Sequence, residues 1–446
     1  MNATIIPCRN TLLAAVLLLI PTTHAAPEAD KVEPEFRIPK VSPKPENLAK
    51  VAAAKQSAVF SLGLVMPDGA SIMNKGFFLN RDGSAICPLI YLCRDVLPRF
   101  DASDGTILDR PKVLATFPDR NLALLKFKYQ PKAWLEIAAQ RPAVGQWVAL
   151  VSTLRDPPSP VGPVLSYRAE LFMDAYPKVS THMSFGVGRS PSLVRIFANG
   201  SPLINSEGKA VGVYAGSWIL AAQTLHSALP IDDLGGRIAA AMKSPGKLSL
   251  PIDTKHHSFN AAVLSPEWGL IDQSNNEGNP ALALKRIRKL MEHHPDCLAL
   301  KAWEWETMRM PGADAMTAEE FLEATQRTAP LQDADDTEKA YYQFRLGTAL
   351  HRMPGRTKET EAAYRKAAAL DPEVEHLAAA NLAGMLLQRG WTKEGEALYR
   401  KVTTLVPERI DYIEALQKAV EARGDWKASE ELGRWIYQLE EYYRSR

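Results

Sequence analysis

The chain is short of histidine, cysteine and net charge. Its 446 residues include 53 Lys+Arg and 51 Asp+Glu, so the formal net charge is only +2. Without a strong basic field, nucleic acid is not the expected partner. Nine histidines are present, and none lies between His24 and His182. With 46% hydrophobic residues, a disordered chain is excluded, and the length allows two or three folded domains.

Apolar residues are concentrated at the start of the chain. Arg9 precedes an apolar run from Leu12 to Ile20, and small residues follow up to Ala25. Nine residues are too few to span a bilayer as a helix, so we predict a signal peptide over 1–25, with an uncleaved anchor as the alternative. The mature protein is then exported, periplasmic or secreted, with no membrane span. Five prolines among charged residues predict an extended linker over 26–54.

The four cysteines are too few for a disulfide-dense scaffold. Cys8 lies in the predicted signal peptide, which leaves Cys87, Cys93 and Cys297. A Cys87–Cys93 disulfide and two buried thiols are both open interpretations.

Short apolar runs broken by turn signals predict a β-rich domain over 55–250. Strands are expected at 59–65, 76–79, 122–127, 147–151, 202–204 and 210–213, with a helix over 232–243. The turn Ser206-Glu207-Gly208-Lys209 separates two of the strands. Such spacing is typical of antiparallel barrels or sandwiches.

Six segments in order resemble the trypsin-like serine proteases of the high-temperature-requirement type. They are KGFFLNRDGSAI, FPDRNLALLKF, VGQWVALVS, GPVLSYRAEL, ANGSPLINSEGKAVGVYAG and LPIDDLGGRI. Together they cover about 190 residues. The resemblance implies an exported double β-barrel.

The same resemblance places the catalytic positions, and the required side chains are missing. The histidine position falls on Ile90, the aspartate position on Asn121 and the serine position on Asn199, while Phe197 stands at an oxyanion-hole glycine. The chemistry needs a base, a carboxylate and a hydroxyl nucleophile. We therefore expect an inactive relative with no catalytic residues at these positions.

An alternative is a divergent serine endopeptidase or hydrolase. Ser201 lies two residues beyond the nucleophile position, and His182 or His226 could act as a base from a different place. In this interpretation the C-terminal region recruits substrate.

After a predicted linker over 251–262, residues 263–446 change to helical spacing. Four helix-like segments end at Pro295, Pro330, Pro372 and Pro407, at intervals of 35, 42 and 35 residues. A tetratricopeptide unit is a helix pair of about 34 residues. The segments FRLGTALHRM and NLAGMLLQRGWTKEGEALYRKVTTLVP resemble that consensus. The fold class predicted is thus a trypsin-like double β-barrel followed by an all-α tetratricopeptide solenoid.

Such arrays usually bind a peptide or a partner protein, and Arg345 and Asn381 are candidate groove residues. We expect no cofactor and no metal, because the chain has no Walker loop or dinucleotide fingerprint and adjacent histidines such as His293-His294 diverge on a helix. Two function classes result: an inactive interaction scaffold, or a divergent hydrolase. A weaker third is a structural envelope component. The sequence leaves the oligomeric state open.

Overall fold

The computed structural model describes residues 42–65, 71–92, 98–151, 160–171, 179–185, 199–220, 223–246, 277–295, 297–310, 312–313, 317–330 and 336–444. It also describes positions 248, 250, 252, 267, 270–271 and 274–275. The predicted signal peptide 1–25 lies outside these residues.

The first sheet has seven antiparallel strands in the order β5-β4-β1-β2-β3-β7-β6. They are β1 Val59–Val65, β2 Ser71–Phe78, β3 Ser84–Pro88, β4 Arg99–Ala102, β5 Ile107–Leu108, β6 Lys112–Phe117 and β7 Leu122–Lys126. Four phenylalanines, Phe60, Phe78, Phe100 and Phe127, pack ring against ring on its concave side. This aromatic cluster is the centre of the first core.

The second sheet closes into a six-stranded barrel in the order β10-β13-β12-β11-β8-β9. Its strands are β8 Trp147–Leu150, β9 Val161–Leu171, β10 Val179–Phe185, β11 Pro202–Ile204, β12 Ala210–Leu220 and β13 Gln223–Pro230. The predicted turn at 206–209 joins β11 to β12. A closed barrel and a seven-stranded half-barrel fit a trypsin-like fold.

The outer faces of the two sheets share a second core. Val59 and Phe77 from the first sheet are buried together with Ala149 and Val213 from the second. Helix α2, Leu234–Lys243, also packs on this core. Its bounds agree closely with the helix predicted over 232–243.

The predicted extended linker 26–54 is wrong at its end. Helix α1, Leu48–Ala54, buries Leu48 and Ala52 completely against the core between the sheets. No proline follows Pro45 in this segment, and an alanine-rich run forms a helix readily once an apolar face is available.

The C-terminal region consists of antiparallel helices. They are α3 Pro280–His293, α4 Leu298–Thr307, α5 Ala318–Arg327, α6 Asp336–His351, α7 Thr357–Leu370, α8 Pro372–Gln388, α9 Thr392–Leu405, α10 Ile410–Ala422 and α11 Trp426–Arg444. Each packs against the next, and α6 also contacts α8, which contacts α10. Two β-barrel-like sheets followed by this helical region confirm the multidomain prediction.

The helices contact the first sheet directly, and most of the predicted linker 251–262 lies outside the described residues. The Ile252 amide donates to the Leu92 carbonyl at 2.9 Å, and Val113 bridges to Leu248. Ile287 and Trp303 from α3 and α4 belong to the same buried cluster as the four phenylalanines. Among the described strands, the edge strands β5 and β6 are not paired with each other, and α3 and α4 add apolar side chains to the core of this sheet.

In the part of the chain that the structure describes, no helix combines the length and apolar character needed to cross a bilayer.

Candidate functional site

Asn121 ends a short helical turn between β6 and β7. The turn spans Pro118–Arg120, and Asn121 follows it with a φ of 48°, in the left-handed region. Asparagine and aspartate tolerate this region better than other residues with a Cβ. The Asn121 carbonyl accepts a hydrogen bond from the Leu89 amide at 2.8 Å. The local backbone therefore explains why a short polar residue stands here.

Asn199 and Gly200 approach the same place from the second sheet. The Asn199 carbonyl accepts from the Lys75 amide at 2.9 Å, and the Gly200 amide donates to the Tyr214 carbonyl at 2.9 Å. Gly200 has a φ of +83°, and a Cβ there would overlap the Lys75 carbonyl oxygen. These contacts hold the Asn199 side chain at the junction between the sheets.

A small cleft lies at this junction. The described residues that line it are Pro88, Tyr91, Arg120, Asn121, Leu122, Asn199, Gly200, Val213, Tyr214, Ala215 and Leu229. Its free volume is about 30 Å³, which is room for about two water molecules. We refer to it as the inter-sheet cleft.

Two of the three predicted catalytic positions, Asn121 and Asn199, thus line one cleft. Ile90 lies in the adjoining turn Leu89–Leu92, whose Leu89 amide is bonded to Asn121 and whose Tyr91 lines the cleft. Phe197 lies outside the described residues. The described lining carries two amides, two phenols and a guanidinium. Groups of these types can donate or accept hydrogen bonds, but none of them is a proton acceptor of the kind that activates a serine near neutral pH.

Ser201 lies beside the cleft rather than in it. It is 1% exposed, its carbonyl accepts from the Tyr214 amide at 2.8 Å, and its hydroxyl has no hydrogen-bond partner among the described residues. His226 is also 1% exposed, and its Nδ1 lies 3.0 Å from the Tyr214 hydroxyl. His182 lies on β10, and its side chain is not among the described parts of the structure. A substrate carbonyl has no described path to Ser201.

A second group of polar residues lies on helices α4, α6 and α8. Arg345 on α6 is 5% exposed and lies between two aromatic rings, 5.0 Å from the Trp305 centroid and 4.8 Å from that of Tyr341. Its Nε and Nη2 have no hydrogen-bond acceptor in the described chain. Burial lowers the pKa of this guanidinium, but arginine stays charged at any ordinary pH.

Further arginines surround Arg345. Arg309 lies 4.8 Å from the Trp305 ring, and Arg352 lies 4.0 Å from the Phe321 ring. Glu306 forms an ion pair with Arg309 at 3.1 Å. We call Arg309, Arg345 and Arg352 the arginine patch, because three cations here share one described carboxylate.

Asn381 lies next to this patch. Its Nδ2 is 3.5 Å from the Thr348 hydroxyl and 3.4 Å from the Tyr364 hydroxyl. Thr348 is three residues beyond Arg345 on α6. The two binding residues predicted from the sequence, Arg345 and Asn381, therefore lie on α6 and α8, two helices that contact each other. Thr348 lies close to both residues.

The cysteine prediction stays a prediction. Cys87 is buried on β3, and Cys93 lies outside the described residues.

Sequence reasoning missed a buried lysine near the cleft. Lys75 on β2 is 7% exposed, and its amine donates to the Ser61 hydroxyl at 2.8 Å. The lysine next to the apolar end of the strand sequence SIMNKGFF was the available signal.

Comparison with known proteins gives structural matches alone. No protein-family profile and no curated protein sequence matches the chain. The active form of the Rv3671c protease from M. tuberculosis superimposes with a TM-score of 0.38 and 17% identity, covering 51% of this chain and 99% of that one. The inactive form of that protease gives a TM-score of 0.34 and 17% identity, covering 45% and 98%.

Proposed function

We propose that this chain is an exported interaction protein. Its trypsin-like part is proteolytically inactive, and its helices form a tetratricopeptide array that binds an acidic peptide segment through Arg345 and Asn381. The single observation that carries the proposal is the buried guanidinium of Arg345, whose nitrogens Nε and Nη2 have no acceptor in the described chain.

Inactivity is supported by the chemistry of the inter-sheet cleft. Amides stand at positions 121 and 199, and both line the cleft. An amide cannot stabilise a protonated imidazole or attack a carbonyl.

Binding of an anion is supported by the cost of burying a cation whose N–H groups are not all satisfied: Glu306 and Tyr341 interact with Arg345, but Nε and Nη2 lack an acceptor among the described residues. A buried charge without a paired counter-charge is strongly unfavourable, and a bidentate carboxylate is the geometric match for a guanidinium. Glu306 already pairs with Arg309, which leaves the patch with excess positive charge. A peptide carboxylate would satisfy the free N–H groups, and the Asn381 amide could orient the peptide backbone.

A tetratricopeptide array is supported by the positions of the helix ends relative to the prolines that mark the predicted repeats. Pairs α6–α7 and α8–α9 end just before Pro372 and Pro407, and Gly347 lies so close to Tyr364 that a Cβ would come within 2.6 Å of its ring. Such close glycine–aromatic packing inside each pair is what a stacked helix-pair repeat needs. Export to the periplasm or beyond, with removal of residues 1–25, is part of the same proposal.

Binding of a labelled tetraglutamate peptide to the full chain, measured by fluorescence anisotropy, tests the proposal. We expect salt-sensitive binding, no binding of tetraglutamine, and at least a ~10-fold weaker affinity for Arg345→Met, since a charge-assisted hydrogen bond contributes about 1.5–3 kcal/mol. Arg434→Met, at an exposed position on α11, is the matched control and should bind like the wild type.

Equal affinity of the Arg345→Met and wild-type proteins would refute the binding site. The rival hydrolase hypothesis has its own readout. If the protein cleaves an unfolded protein substrate, and Ser201→Ala abolishes the cleavage, the inactive interpretation is wrong.

A further inference from the structure

Lys75 and Ser61 face each other across the β1–β2 pair. They are direct cross-strand partners in the antiparallel register, so their side chains project from the same face of the sheet. Val59 and Phe77 lie two residues away on that face, and both belong to the core between the sheets. The pair is therefore on the outer side of the half-barrel, toward the second barrel.

Lys75 is buried with a hydroxyl as its partner. The residue is 7% exposed, and within the described part of the chain its amine has one recorded contact, the Ser61 oxygen at 2.8 Å. Desolvation lowers the pKa of this amine below its ordinary value of 10.5. An amine with a lowered pKa gives up its proton more readily, and this nitrogen lies at hydrogen-bond distance from a serine hydroxyl, so once deprotonated it is placed to act as a general base.

One carboxylate lies next to the pair. On β4, Asp101 is the cross-strand partner of Ser61 on its other side, and its carboxylate is paired with Arg99 at 2.8 Å. On the far side of β2, the contact is a backbone one, from the Lys75 amide to the Asn199 carbonyl.

Ser61 is more exposed than Ser201. It is half-buried, whereas Ser201 is 1% exposed. Ser61 lies in the middle of β1, paired with β2 on one side and with β4 on the other.

We propose that Ser61 is a nucleophile activated by Lys75, and that it accepts short acyl groups from activated esters. The Ser61 oxygen forms a bond to the ester carbonyl carbon, and its proton passes to the Lys75 nitrogen. The carbon–oxygen bond of the ester then breaks, and the alcohol leaves with the proton from Lys75. Water hydrolyses the acyl-serine by the same proton path in reverse. This activity goes beyond the proposed peptide binding and uses none of positions 90, 121 and 199.

Acylation of the full chain by p-nitrophenyl acetate tests the proposal, with nitrophenolate release followed by absorbance and the modified residue located by mass spectrometry. We expect acetyl on Ser61, and a rate that rises with pH through a midpoint below 10.5. Ser61→Ala should abolish this labelling. Lys75→Met should reduce it on the order of 100-fold, because a positioned general base contributes about 10²–10⁴.

Lys75→Arg separates base catalysis from charge, since a guanidinium does not give up its proton; it should be as slow as Lys75→Met. Ser206→Ala, in the exposed turn between β11 and β12, and Lys126→Met, at a half-buried position on β7 of the same sheet as Lys75, are the controls and should react like the wild type. Acetyl on the Lys75 nitrogen, unchanged labelling in Ser61→Ala, or full activity of Lys75→Arg would each overturn the proposal. None of these outcomes depends on peptide binding by the helices.

Discussion

Gly200 supports the inter-sheet cleft through its backbone alone. Its φ of +83° lies in the left-handed region, and a Cβ would overlap the Lys75 carbonyl and come within 2.9 Å of the Pro88 ring. We expect Gly200→Ala to lower the free energy of unfolding by about 3 kcal/mol or more, because strain and a backbone clash add. Urea unfolding measures this.

Gly105 offers a matched control. It has nearly the same φ, +85°, but nothing lies within 4 Å of the place where its Cβ would stand. Gly105→Ala should therefore show only the left-handed penalty of about 1–2 kcal/mol. Equal losses in the two variants would mean that the close approach of Gly200 to Lys75 does not contribute.

At the scale of single residues, the sequence predicts those site positions that are defined by nearby residues in the chain. Asn121 was located from the segment NLALLK, and Asn199 from the nearby Pro202-Leu203. Ser61 and Lys75 were missed because their contact depends on the register of a hairpin, and a one-residue slip would send the two side chains to other faces. Composition and spacing do not fix that register.

At the scale of elements, α2 is joined to the turn before Asn121 by two crossed ion pairs. Arg237 binds both carboxylate oxygens of Asp119 at 2.8 Å, and Arg120 binds Asp233 at 2.8 Å. The Arg237 hydrogen bonds hold the pKa of Asp119 below its ordinary value of 3.8. The pairs fix the end of β6 and the entry of β7, and so the position of Asn121.

The lowered pKa of Asp119 sets a pH dependence. A depressed carboxyl pKa stabilises the fold above its unfolded value, and this contribution is lost as the pH falls through the folded value. At pH 7, Asp119→Asn should lower the free energy of unfolding by about 0.5–1 kcal/mol, since the pair is partly exposed. The difference from wild type should shrink as the pH falls below 3.8.

Asp82→Asn, at an exposed position in the β2–β3 turn, is the control for this measurement and should give no difference at either pH. A difference for Asp119→Asn that stays constant from pH 7 to pH 3 would show that the ion pair does not contribute. The sequence predicted helix α2 from its periodicity. It could not predict these pairs, which join residues 113 and 118 positions apart.

At the scale of the whole molecule, the helices also pack on the closed barrel. Ser166, Ser184 and Ser227 are cross-strand partners on β9, β10 and β13, and each is at most 2% exposed. Met183 and Phe185 point into the barrel, so Ser184 and its partners project outward. Helices α6 and α8 contact β10 and β9 at this outer face.

Glu408, between α9 and α10, is the charged residue at this interface. It is 1% exposed, and its carboxylate accepts a hydrogen bond from the Ser166 hydroxyl. In the sequence, Ser166 and Glu408 are 242 positions apart. From residue type alone, each would be predicted to lie at the surface. The sequence leaves contact between the two regions open for this reason: the outward face of a strand looks polar in either case, and only the packing shows that helices cover it.

A double-mutant cycle on this contact tests whether it couples the barrel to the helices. Removing the charge with Glu408→Gln and the donor with Ser166→Ala should each lower the free energy of unfolding. The double variant should lose less than the sum of the two single losses by about 1.5–3 kcal/mol, the usual contribution of a hydrogen bond to a charged group.

Urea unfolding, followed in parallel at a helix-sensitive and a strand-sensitive circular dichroism wavelength, measures these free energies. In the wild type the two signals should change together, and in Glu408→Gln they should separate, because the helices can then leave the barrel before it unfolds. Additive losses with coincident transitions in every variant would mean that the apolar contacts of α3 and α4 with the half-barrel alone hold the two regions together.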